Sequence, residues 1–381
     1  MITGLLICML GICAVAERSG RLWNNIKLQA FQEIQESAEQ MYLPGIAYGE
    51  KKNEKISAKE WVVRMAVNLI PLGGYVSGME QGELSVEDEA TYEMLLKMEA
   101  EDENEVDANG NLIGKDESKE TEQEVVQLDL SMENLSNFEF LTSNLYTIDS
   151  VTYVEEADLN AGELMSKDLS INKEEEGPKV LIFHTHSQEA FVDSDGSSDT
   201  SIVGIGDYLT ELLTDKYHIP TLHHKGVYDL IDGKLDRSEA YELARPEITQ
   251  ILKENPSIEV VIDLHRDGVG ESTHLVTDVN GKETAQIMFF NGMSRTRANG
   301  NLTGMENPYI QDNLAFSMQM KVAAEEKYPG FTRRIYLKGY KYNMDLAPKM
   351  LLIEAGAQTN TVQEMKNAME PLAELLDEVL S

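Results

Sequence analysis

Residues 179–191 read KVLIFHTHSQEAF. An unbroken apolar run that stops at two histidines and then a glutamate is a buried strand delivering polar side chains at its carboxyl end. Two further segments repeat that design, SIEVVIDLH at 257–265 and KMLLIEAG at 349–356. Amphipathic stretches lie between them. SIVGIGDYLTELLTDKY at 201–217 carries Leu209, Leu212 and Leu213 on one stripe. The segment 236–256 is helical, with a kink or restart expected at Pro246, and 308–330 is a helix stopped by Pro329-Gly330. The segment 219–230 holds a short strand, 274–290 reads as two strands around an Asn280-Gly281 turn, and 359–380 is a last helix. Strands alternating with helices predict an α/β fold: a mostly parallel central sheet with helices on both faces. This α/β domain is placed at 179–381.

Upstream the composition changes. The 381-residue chain has 32 Lys and Arg against 67 Asp and Glu, a net charge of −35. Such a chain releases few counterions from phosphates, so a nucleic-acid partner is excluded. Residues 81–178 hold 28 acidic residues against 5 lysines and no arginine. That imbalance predicts an acidic, largely disordered linker, solvated and self-repelling. Within it, SNFEFLTSNLYTIDSVTYV at 136–154 is more apolar and is expected to dock on the following domain. The first 16 residues, MITGLLICMLGICAVA, are apolar. They are shorter than the roughly 20 residues of a spanning helix, yet they read as a signal or membrane anchor over 1–17. Residues 18–80 are expected to form a juxtamembrane helical region. Both cysteines, Cys8 and Cys13, fall in the first run, so the rest of the chain has neither disulfides nor a cysteine metal site.

Three strand ends thus carry ligand-type residues: His184, His186 and Glu189; His265; and Glu354. In open α/β sheets, sites form outside the carboxyl ends of strands. Two histidines and a carboxylate with a fourth position open form a hydrolytic zinc arrangement, and His186, Glu189 and His265 are the candidates. A free carboxylate must then accept a proton from water and pass it to the leaving amine, and Glu354 is placed for that work. In an extended strand His184 and His186 share a face, so His184 is either the ligand or a hydrogen-bonding support behind it. Asp263 supports a ligand or caps the strand. Arg266, Arg333 and Arg334 suit substrate carboxylates, although surface charge explains the last two equally well. Asn343 orients substrate or makes a turn. His223 and His224 support a ligand or are structural rather than being ligands themselves, and Asp267-Gly268 reads as a turn. A single strand-end histidine is ordinarily structural; three converging strand ends outweigh that reading.

The motifs VLIFHTHSQEAF, VVIDLHRDG and YNMDLAPKMLLIEAGAQTNT, with NFEFLTSNLYTIDS ahead of them, resemble the stage II sporulation protein P family of endospore-forming bacteria. The resemblance covers roughly 135–381 and the anchor-like start. It implies a membrane-anchored, extracytoplasmic peptidoglycan hydrolase at the sporulation septum, with a fold similar to the zinc amidases. It implies a zinc-dependent N-acetylmuramoyl-L-alanine amidase with added endopeptidase activity, working in septal wall removal and forespore engulfment. It further implies zinc on His186, Glu189 and His265, catalysis by Glu354, and stage II sporulation proteins D and M as partners. The rivals are a zinc carboxypeptidase, which would release one C-terminal amino acid, and a non-catalytic wall-binding scaffold.

Overall fold

The computed structural model describes residues 127–237 and 239–381. The expected anchor at 1–17, the helical region at 18–80 and the linker up to residue 126 lie outside the described residues. Among the described residues, no helix is long and apolar enough to cross a membrane.

The described chain opens with α1 (Met132–Leu135), α2 (Phe138–Asn144), β1 (Tyr146–Ile148) and α3 (Ala161–Ser166). Then come β2 (Val180–Phe183), α4 (Ile202–Glu211), β3 (Thr221–His223), a small hairpin of β4 (Leu230–Ile231) and β5 (Lys234–Leu235), and α5 (Ala240–Glu254). β6 (Val260–Asp267) is followed by β7 (Val276–Val279), β8 (Lys282–Ala285), β9 (Ile287–Gly292), β10 (Arg295–Thr296) and β11 (Gly300–Asn301). The chain closes with α6 (Ile310–Lys327), β12 (Ile335–Lys338), β13 (Met350–Ala357) and α7 (Val362–Val379).

Seven strands form the main sheet in the order β1-β12-β9-β13-β6-β2-β3. Every neighbouring pair is parallel except β13 with β9. The sheet is therefore two parallel blocks running in opposite directions. β13, β6, β2 and β3 end together at one edge, and there the histidines and glutamates emerge.

Alternation along the strands builds the two cores. Val180 and Ile182 of β2 join one apolar cluster with α4, α6 and α7, while Leu181 and Phe183 join the other with α5. Helices cover both faces, as the alternation of elements predicts, but unequally: α5 shares its face with the segment around Tyr340, Tyr342 and Met344. α5 also runs unbroken through Pro246, where a kink or restart is expected from sequence.

The stretch 127–178 differs from its reading as linker. Leu135, Leu141, Leu145, Tyr146, Leu159, Leu164 and Leu169 are all buried in the first core. β1 extends the sheet by pairing with β12. The expected docking of 136–154 accounts for part of this. The rest escapes because a charge count over a long window averages away apolar residues that recur at helical spacing.

Candidate metal centre

β6 and β13 are adjacent, and His265 and Glu354 are register partners. They therefore project from neighbouring positions on one face. Asp263, two residues before His265, shares that face. Directly after Glu354 the register with β6 shifts, and Gly356 takes φ 56°. A Cβ on Gly356 would meet Met365 Sδ at 2.5 Å. This bulge ends regular pairing beside the functional side chain, as bulges do at active sites.

β2 ends at Phe183, so the rule that residues two apart share a face fails for His184 and His186. His184 stays on the face of Ile182 and packs under α4. Its Nδ1–H donates to the Leu264 carbonyl at 2.7 Å, and its Nε2 lies 2.8 Å from His223 Nε2. His223 Nδ1 in turn lies 2.9 Å from Asp207. Gly206 makes room, since a Cβ there would come within 2.7 Å of the His184 ring. The chain then crosses to the other face, where His186 and Glu189 meet His265. Ligand-type atoms of these three buried residues all lie within 4.8 Å of one another. His186 Nδ1 is 3.8 Å from Glu189 Oε1, and the His186 and His265 rings meet edge-on at 5.0 Å.

The turn carrying these ligands is fixed from below. Thr185 donates to Asp263 through its N–H at 2.9 Å and its hydroxyl at 2.6 Å. Asp263 Oδ1 also lies 2.8 Å from His265 Nε2. Asp263 thus lies between the turn at Thr185 and the His265 ring. Buried Asp229 accepts from Ser187 Oγ and from the Gln188 N–H, each at 2.9 Å. Glu189 Oε2 accepts the Arg266 N–H at 2.7 Å, which leaves Oε1 facing the cluster.

Charge at the site is unbalanced. Burial pushes Glu189 up to about 8 and Glu354 up to about 7, with Glu354 adding to the first and Asp267 to the second. Burial lowers the His186 ring to about 3, helped by His265, so the ring is neutral with a lone pair to give. Burial also works against a charge on His265, but Asp263, Glu189 and Glu354 outweigh it and carry the ring up to about 9. Glu354 Oε2 is enclosed and accepts no hydrogen bond. A divalent cation among these groups would supply the missing positive charge and match the donor set. The residues present fit a metal ion held by His186, Glu189 and His265.

The other sequence candidates divide. Arg266 anchors the neighbouring loop, donating from Nε to the Ala190 carbonyl at 2.8 Å and from NH1 to its neighbour's carbonyl, Asp267 O, at 2.9 Å. Arg333 is not a surface charge: its side chain is sealed and donates to Asp267 Oδ2 at 2.6 Å. Asp267 is accordingly a buried strand residue and not a turn residue. Arg334 reaches away to the Ser143 carbonyl at 3.1 Å. Asn343 is buried at φ 54° and donates to the Tyr241 carbonyl at 2.7 Å, so it shapes the scaffold.

Two residues that sequence reasoning missed touch the cluster. The Tyr241 ring stacks on His265 at 6.5 Å and 15°, and meets His186 edge-on at 5.8 Å. Arg237 brings a guanidinium nitrogen to 3.4 Å from Glu189 Oε1. Arg237 comes from the segment joining the β4–β5 hairpin to α5 and Tyr241 from the first turn of α5, where no motif spacing marks them.

A family model described as Stage II sporulation protein P matches residues 71–377. Among curated proteins, Stage II sporulation protein P of Bacillus subtilis (strain 168) is 24% identical over 249 residues. That match spans 59% of this chain and 59% of the relative's length. Among solved structures, the apo N-acetylmuramyl-L-alanine amidase of Mycobacterium abscessus aligns at 14% identity and TM-score 0.34, over 54% of this chain and 99% of that one. The CwlD amidase of Clostridioides difficile, solved with the GerS lipoprotein, aligns at 12% identity and TM-score 0.35, over 53% and 98% respectively.

Proposed function

The chain belongs to the stage II sporulation protein P family, whose model spans residues 71–377, and on that premise we propose that it is a zinc-dependent peptidoglycan hydrolase. The reaction is cleavage of the amide between N-acetylmuramic acid and L-alanine, with endopeptidase activity on cross-linked stem peptides beside it. The observation that carries this reading is the meeting of His186, Glu189 and His265 within 4.8 Å, beside Glu354, at adjacent strand ends.

Bound by those three residues, zinc would supply a Lewis acid for the amide carbonyl and make water more acidic. Glu354 accepts the proton of the attacking water on its carboxylate. It then delivers that proton to the nitrogen of the departing L-alanine, so one group serves as base and then acid. Asp263 holds the His265 ring, as supporting carboxylates do for metal-binding histidines. Tyr241 walls the two rings against sideways motion. The setting we propose is extracytoplasmic, at the sporulation septum, with the chain anchored through its N-terminus and working with stage II sporulation proteins D and M.

The test uses the full-length protein and purified peptidoglycan, with products identified by mass spectrometry. Free stem peptides should appear with zinc, vanish with chelator, and fall by about 10²–10⁴-fold with Glu354→Gln, the usual contribution of a general acid–base group. Cut cross-links with the muramoyl amide intact would reduce the reading to an endopeptidase. Release of single C-terminal amino acids would favour the carboxypeptidase.

A further inference from the structure

We propose that Asp229 is a positioning residue for the metal centre: by holding Ser187 and Gln188 it sets the separation of His186 and Glu189, and so the strength and geometry with which an ion is held. The inference rests on the reading that His186, Glu189 and His265 bind zinc.

Regular structure leaves that separation open. β2 ends at Phe183, and Ser187 and Gln188 form a turn. In a helix or strand the backbone ladder would fix two residues three apart; here side chains must do it. Asp263 settles the near end. It takes the N–H and the hydroxyl of Thr185, just before His186, and lies against His265. The far end is tied through Glu189, whose carbonyl accepts the Ile202 N–H at 2.9 Å and whose Oε2 accepts the Arg266 N–H at 2.7 Å. The span between is held by Asp229. Among the described residues, both hydrogen bonds that leave the Ser187–Gln188 pair end on its carboxylate: Ser187 Oγ donates to Oδ1 and the Gln188 N–H to Oδ2, each at 2.9 Å. A further bond, from Gln188 Nε2 to Ser187 Oγ at 3.0 Å, stays within the pair. One carboxylate thus grips both residues that separate the first ligand from the second.

Burial strengthens the grip. Asp229 is fully buried and Ser187 nearly so. A carboxylate offers two acceptor oxygens at a fixed separation, and its bonds to N–H and O–H groups are stronger than those of a neutral acceptor. Removing it leaves two donors of the turn without their acceptors, at a cost that water cannot fully repair in a closed site.

Asp229 is itself firmly mounted. Its carbonyl accepts the Asp236 N–H at 2.9 Å across the base of the β4–β5 hairpin. Its neighbour Tyr228 is buried, with the hydroxyl 2.6 Å from His224 Nε2 and donating to Glu247 of α5 at 2.8 Å. The His224 N–H donates to the Ile182 carbonyl of β2 at 2.8 Å. Gly226 leaves room for this arrangement, since a Cβ there would run into both the Tyr228 hydroxyl and the His224 ring. The carboxylate is therefore referred to β2, which leads into the ligand turn, and to α5, which carries Tyr241 against both ligand rings. Support of this kind decides whether a ligand set works, because a site about 1 Å too loose fails.

The experiment follows the ion rather than turnover. Full-length wild type, Asp229→Ala, Asp229→Asn and Ser187→Ala are compared in three ways: zinc affinity by competition with a chromophoric chelator, visible absorption of the cobalt(II) form, which reports ligand geometry, and urea midpoint. Leu164→Ala, a core change in α3, which holds no ligand, controls for lost stability alone. Asp229→Ala should bind zinc about 10–100-fold more weakly, the usual effect of losing a residue that orients a ligand, and should shift the cobalt spectrum. Asp229→Asn keeps an oxygen for the Gln188 N–H, and Ser187→Ala loses one bond, so both should fall between Asp229→Ala and wild type. Leu164→Ala should lower the urea midpoint and leave zinc affinity and cobalt spectrum as in wild type. Wild-type zinc affinity and cobalt spectrum in Asp229→Ala, or in both milder variants should Asp229→Ala not fold, would overturn the assignment. So would a Leu164→Ala protein that loses as much zinc affinity as Asp229→Ala. A wild type that takes up no zinc would sink the metal reading and this inference together. A metal site that responds as expected in a protein that cleaves no peptidoglycan would instead sink the hydrolase reading and leave the role of Asp229 standing.

Discussion

His184 and His186 are two positions apart and have opposite surroundings. His184 spends Nδ1 on the Leu264 carbonyl and faces His223 with Nε2, so neither nitrogen is turned toward the ligand cluster. His186 is in that cluster. His186→Ala should therefore lower zinc affinity by more than the roughly 10–100-fold typical of losing a supporting residue. His184→Gln should keep about one zinc per chain and destabilise the fold by about 1–3 kcal/mol, the cost of leaving buried partners unmade. Metal analysis beside urea unfolding separates the two, and zinc lost with His184→Gln but kept with His186→Ala would reverse the assignment. At this scale the sequence points to the proposed ligands, because each lies within or just beyond an apolar run. It leaves the two histidines tied, since only where β2 stops decides which face each takes. Arg333 and Asp267 were unreadable for a related reason: nothing in RDG or in TRRIY signals that the two will be buried against each other.

Elements were legible in proportion to their apolar length. β2, β6 and β13 are nearly continuous hydrophobic runs, and their burial on both faces is what such runs mean. β1 and β12 are three and four residues long, too short for a periodicity to mark them. α7 carries its own start signal. The Thr361 side chain accepts the Glu364 N–H at 3.2 Å and Glu364 accepts the Thr361 N–H at 3.0 Å, a reciprocal cap. Burial alone would raise the Glu364 carboxyl. Hydrogen bonds from His274, the Thr361 N–H and Asn360 outweigh it and hold Glu364 below the usual glutamate range. A carboxyl lowered in the folded state stabilises fully above its unfolded value. That stabilisation is lost as pH falls through the folded value. Thr361→Ala should cost about 1 kcal/mol at neutral pH. Glu364→Gln should destabilise at pH 7 and make little difference in strong acid. Urea midpoints of wild type and Glu364→Gln that stay equally far apart at both pH values would show the carboxylate charge to be irrelevant to the cap.

At the scale of the whole molecule, the issue is where the catalytic unit begins. All candidate ligands lie after residue 179, and a reading from charge density places the domain boundary there. The structure instead sends 127–178 across the sheet edge and into the core. β1 closes the open side of β12, and α1 to α3 bring Leu135, Leu141, Leu164 and their neighbours against α6 and the sheet. Each fully buried leucine is worth about 1.5–3 kcal/mol, and six leucines of this segment are buried in that core. Their combined burial rivals the roughly 5–15 kcal/mol that holds an ordinary domain together. A protein starting at Gly177 should therefore retain every proposed ligand and yet lack a cooperative unfolding transition. It should also expose the β12 edge to aggregation. A protein starting at residue 127 should unfold cooperatively in urea. Chelator should lower its midpoint, because an ion that binds only the folded state adds stability. If the Gly177 protein unfolds with the same midpoint and steepness as the longer one, the segment is a passenger and the boundary read from charge is right.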